Sequence, residues 1–231
     1  MLYLDSMRLR IGVRNQFLLA LALSTFVALG LFVVRALRNG NSDHSYLLWN
    51  LALAWLPLLL ALRLRQELRT KLWSSWTTLG LSLAWLFFLP NSFYMISDII
   101  HLQHAGSVDI LFDAVMFAAF VCLGLVLGFS SLYLVHIELK KRLSSDVAAS
   151  LIGGIIFLSS FAIYIGRDLR WNSWDVLTNP HGLLFDVSDR LLQPSGYGQI
   201  LITVMSFFVL LAGLYAVLWA GTRLARNSPR I

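Results

Sequence analysis

Residues 110–136 read ILFDAVMFAAFVCLGLVLGFSSLYLVH, an apolar run in which Asp113 is the one residue charged at neutral pH. A bilayer core asks for about 20 apolar residues per helix, and this run exceeds that. A helix on a water-exposed surface would show a polar face at its own period, and this one shows none. Five further apolar runs surround it, at 17–37, 46–62, 73–89, 147–165 and 198–222. Together the six predict an all-α, polytopic bundle of transmembrane helices, one integral membrane domain over 1–231. Composition agrees: 58% hydrophobic, 13% charged, mean hydropathy +0.73. Those values lie outside the range of soluble domains.

The basic residues fall into alternate gaps between the runs. Arg8, Arg10 and Arg14, then Arg63, Arg65, Arg69 and Lys71, then Lys140, Lys141 and Arg142, and finally Arg223, Arg226 and Arg230 share one side. That side holds 13 of the 18 Lys and Arg residues. The other side has Arg35, Arg38, Arg167, Arg170 and Arg190. Lys and Arg in short loops are retained in the cytoplasm, so the reading is a cell-membrane protein with both termini cytoplasmic. The net charge of +6 is thus spent near the bilayer, where anionic headgroups attract it. No nucleic-acid-binding module is present in the pattern, so no nucleic-acid partner is expected.

Local features add detail. The first run follows a basic stretch but is longer than a signal peptide's apolar segment, and reads as a retained span. Pro57 should kink span two. Trp73 and Trp76 suit the inner headgroup level. Gly124 and Gly128 have the four-residue spacing that lets two helix backbones approach closely, and Gly153-Gly154 invites the same reading. Cys122, the single cysteine, reads as a small packing residue. His136 reads as an interfacial side chain near the inner end of span four.

Two polar segments interrupt the apolar text, and the topology places both outside. The first is Leu89 to His104. Pro90 lacks an N–H and disfavours helical geometry at Leu89, so a broken, re-entrant helix is expected there. Asp98, His101 and His104 recur every three residues and share one broad helix face. The second segment runs from Gly166 to Asp175. It carries Arg167 and Arg170, whose planar guanidinium groups suit phosphate or carboxylate, among Trp171, Asn172, Trp174 and Asp175. The simplest arrangement joins the two segments, with Asp98 or Asp113 facing Arg167 or Arg170. Leu183-Leu184-Phe185 and Leu191-Leu192 predict a short amphipathic surface helix capping that region.

The pattern Pro90-Asn91-x-x-Tyr94-x-x-x-Asp98-x-x-His101, with Gly166-Arg167-x-x-Arg170-Trp171-Asn172-Ser173-Trp174-Asp175, resembles a bacterial family of integral membrane proteins known only as a domain of unknown function. The resemblance spans roughly the second to the sixth run. It implies a bacterial membrane location and a pairing of the two motifs, and it implies no activity.

Three functional readings fit these residues. An outer pocket built on Asn91, Tyr94, Asp98, His101, Arg167, Arg170, Trp171, Asn172, Trp174 and Asp175 would bind an anionic lipid headgroup or a small anion. A full transporter fits less well, because few ionisable groups lie deep in the runs and no inverted repeat is visible. Alternatively, the motifs form a salt-bridged lid on a structural or scaffold protein. In the third reading Asp98, His101 and His104, with Asp109, Asp113 or His181, hold a metal for hydrolysis of a lipid at the outer leaflet. No established zinc-binding spacing supports that site. Sequence leaves the choice between enzyme, binder and scaffold open, along with cofactors and oligomeric state.

Overall fold

Helices form where the apolar runs are, and one structural consequence is immediate: the chain hides little of its own apolar surface. In a computed structural model describing residues 2–39, 44–104, 110–169, 171, 175–192 and 194–227, α1 covers Leu2–Asn39, α2 Tyr46–Glu67 and α3 Trp76–Tyr94. A 3-10 helix, Met95–His104, continues α3; α4 (Ile110–Lys140) and α5 (Ser145–Asp168) follow. The short α6 (Asp175–Thr178), α7 (Pro180–Leu192) and α8 (Pro194–Asn227) complete the order. No strand occurs among the described residues. Among the described residues, six segments are long and apolar enough to cross a membrane: Asn15–Arg38, Tyr46–Glu67, Trp76–Ile100, Ile110–Lys140, Ser145–Asp168 and Tyr197–Ala225. This is the architecture of a multi-pass membrane protein. Only 17% of the apolar window of α1 and 22% of that of α8 is buried within the chain, against 44% for α4. Water would not tolerate so much exposed Leu, Val and Phe, and hydrocarbon does.

α4 is the hub, packing on α1, α2, α3, α5 and the 3-10 helix, while α8 joins chiefly through α5. The Gly124–Gly128 spacing makes this centre possible. A Cβ on Gly124 would come within 2.6 Å of the Ser92 carbonyl oxygen, and one on Gly128 within 2.6 Å of the Phe93 ring. Ser92 also donates its hydroxyl to the Ala54 carbonyl at 2.9 Å, so one residue of α3 locks α2 and α4 together. On the α1 side, Trp55 Nε1 donates to Thr25 Oγ1 at 3.3 Å.

Several sequence expectations are corrected. Pro90 does not break the third helix: α3 runs through it to Tyr94 and then tightens into the 3-10 turn. The neighbouring Asn91 amide donates to the Phe88 carbonyl at 3.1 Å, satisfying backbone next to the missing N–H. The third span therefore extends to Ile100 rather than ending at Leu89. Gly153 and Gly154 approach no other helix, since a Cβ at either meets nothing within 4 Å. Cys122 lies on the exposed face of α4 rather than in the packing. His136 is buried, not interfacial. Its Nδ1 lies 2.9 Å from the Tyr215 hydroxyl, and its ring stacks on Trp219 at 4.0 Å, fastening α8 to α4.

Candidate functional site

Where α2 and α5 flank the same face of α3, a cavity of about 480 Å3 opens. Its floor is the α3 stripe Leu86, Phe87, Pro90, Asn91 and Tyr94, continued by Asp98. Those positions recur at three- and four-residue steps, which is why one helix face supplies them all. The stripe is graded. Leu86 and Phe87, with Leu53 of α2 and Leu158 and Ala162 of α5, make an apolar lower part. Asn50, Asn91, Tyr94, Asp98 and Arg167 gather at the other end.

The polar end is built from specific contacts. Asp98 is 1% exposed and accepts a hydrogen bond from Asn50 Nδ2 at 2.9 Å. Tyr94 donates its hydroxyl to the Gly166 carbonyl at 3.3 Å, joining α3 to the end of α5. A Cβ on Gly166 would fall 2.9 Å from the Tyr94 ring, so glycine is needed for that approach. Arg167 lines the same end, near enough for its positive charge to act on Tyr94, Asp98 and Tyr46. Trp171 donates its indole N–H to Asp186 of α7 at 3.0 Å, and with Leu183 it adds a wall of the cavity. The expected amphipathic helix is α7, with Leu184 and Phe185 exposed on its outer face.

Five residues picked out by sequence thus line one cavity: Asn91, Tyr94, Asp98, Arg167 and Trp171. Asp175 opens α6 beyond it, and His181 is exposed on α7. Arg170, Asn172 and Trp174 lie outside the described residues, as do the side chains of His101 and His104 and the whole of Asp109. The 3-10 helix has three residues per turn, so backbone positions 98, 101 and 104 stack along one line. Among the described residues no three His, Cys, Asp or Glu side chains cluster as a metal site.

Of the two carboxylates expected to face the second motif, Asp98 is the one near Arg167, whereas Asp113 binds Arg35 of α1, with Nε–Oδ1 at 2.7 Å and Nη2–Oδ2 at 3.3 Å. Both side chains are buried, and the fork-to-carboxylate geometry is two-pronged. Sequence reasoning missed Arg35, Asn50, Tyr46 and Trp49. The available signal was polarity inside an apolar run: an arginine at 35 and an amide at 50 each demand a partner there.

The fold defines a multi-pass helical membrane protein. The chain belongs to the family described as "Protein of unknown function (DUF1361)", whose model matches residues 49–212. That match runs from within α2 to just past the middle of α8, and so takes in every cavity-lining residue except Tyr46. No curated protein and no solved structure matches the chain.

Proposed function

We propose that this protein binds an amphiphile from the bilayer, holding a phosphate-bearing head at Arg167 and laying its chain between α2 and α5 over α3. One observation carries this reading: the cavity is graded from apolar to polar along a single helix face, with a guanidinium at its polar end. Its volume falls within the roughly 300–1,000 Å3 typical of small-molecule sites. Its rim favours access from the side. Trp49 on α2 and Leu158 on α5 are 55% and 53% exposed, and Leu158 lies about 15 Å down the helix from Asp168 at 1.5 Å per residue. A lipid thus enters without leaving the membrane. The test is lipid retention by the purified protein, read by mass spectrometry. Wild type should keep a phosphate-bearing lipid through delipidation, and Arg167→Gln should lose it. Equal retention by both sinks the reading.

The second reading, a structural lid, draws on the Trp171–Asp186 and Tyr94–Gly166 bonds that tie the same end shut. It predicts that Arg167→Gln lowers the melting temperature and leaves lipid retention unchanged.

Orientation belongs to the same proposal: both termini face the cytoplasm, and the polar end of the cavity faces out. The bias of the basic residues supports it. In a Cys122→Ser background, a membrane-impermeant thiol reagent on intact cells should label Ser188→Cys and spare Thr70→Cys. The opposite pattern contradicts it.

A further inference from the structure

Arg167 is only half of the charge at the polar end of the cavity. Asp98 lines the same space, is 1% exposed, and accepts one hydrogen bond among the described residues, from Asn50. An ionised carboxylate can accept about four hydrogen bonds, and burying one with few partners is costly. A head carrying only negative charge would be attracted by Arg167 and repelled by Asp98. A head carrying both charges would be attracted by both. Tyr46 and Trp49, which line the cavity on the same helix as Asn50, are aromatic rings of the kind that attract a cation.

We infer that the cavity selects a zwitterionic headgroup, its phosphate against Arg167 and its primary ammonium against Asp98. The occupant is then an aminophospholipid of the phosphatidylethanolamine class rather than a purely anionic lipid. A primary ammonium is favoured over a quaternary one because it donates up to three hydrogen bonds, and Asp98 needs donors. This inference rests on the lipid-binding reading above and goes further in naming the head.

The experiment is a competition on the full-length protein in nanodiscs. Phosphatidylethanolamine, phosphatidylglycerol and phosphatidylcholine with identical acyl chains are offered, and bound lipid is quantified. Phosphatidylethanolamine should win by about tenfold over phosphatidylglycerol, the scale of one charge-assisted contact. Asp98→Asn should erase that preference while still binding both lipids, and Arg167→Gln should lose both. If wild type binds phosphatidylglycerol as well as or better than phosphatidylethanolamine, the headgroup inference is wrong and the lipid-binding reading survives. If wild type retains none of the three, both fail. Soluble glycerophosphoethanolamine forms a separate arm. Competition by it at equal concentration supports the head chemistry and moves the source from bilayer to water. Should Asp98→Asn not fold, the wild-type competition alone decides.

Discussion

The two ends of the helix bundle treat buried carboxylates in opposite ways. At the basic end, Glu138 is surrounded: Lys141 at 2.6 Å, Arg142 at 3.0 Å and Arg65 at 3.4 Å all reach it. Glu67 is paired with Arg63 at 2.6 Å and Lys71 at 2.8 Å. Arg142 also donates to the Leu68 carbonyl at 3.3 Å and lies over Trp73, so the network clamps the α2–α3 and α4–α5 turns together. Both oxygens of each of these carboxylates meet a cation. At the other end both oxygens of Asp113 are bonded by Arg35, yet Asp98 keeps a single hydrogen bond among the described residues and faces a cavity. Carboxylates that serve structure are filled by the chain itself. One that is left underfilled beside an open space is a place for something else.

That contrast can be broken most forcefully at Arg35 and Asp113. Removing either partner strands the other charge in an apolar interior, a loss of about 3–5 kcal/mol. Arg35→Met or Asp113→Leu should therefore lower thermal stability in detergent sharply, and the double variant should recover most of the loss. A double variant as unstable as the singles would show that the pair is not what the helices lean on. A smaller effect is expected at the α3–α4 contact. Gly124→Leu forces its side chain into the Ser92 carbonyl and Met95, costing about 1–3 kcal/mol and displacing the floor of the cavity. Lipid retention should fall with it. The smallest change belongs to the basic end. Glu138→Gln keeps its shape and loses ion pairs to partly exposed cations, about 1 kcal/mol. Lipid retention should stay at the wild-type level, and a drop would mean that the two ends are coupled.

Much of this architecture could be read from the residues. The six spans follow from apolar runs too long and too uniform for any other solvent. Gly124 and Gly128 announced a close helix contact, though which helix would fill it could not be known until α3 was placed. The amphipathic α7 and the meeting of Tyr94, Asp98, Arg167 and Trp171 were also visible as patterns. Partner choice was not. Arg35 and Asp113 sit 78 positions apart, and their pairing depends on how α1 is rotated against α4, which no spacing rule encodes. Pro90 misled for a related reason: a proline costs one backbone bond, and the tertiary contacts of Ser92 and Phe93 on the two glycines hold the helix through it. Asn50 was hidden because a lone amide in an apolar run names no partner until the 3-10 turn brings Asp98 to it.

The most direct test is an experimental structure of the protein in lipid nanodiscs containing phosphatidylethanolamine. Elongated density should lie over Leu86, Phe87 and Asn91, between α2 and α5, with its bulky end between Arg167 and Asp98. A cavity filled by the protein's own side chains, with Arg167 closed onto Asp98 as a contact ion pair, would contradict it.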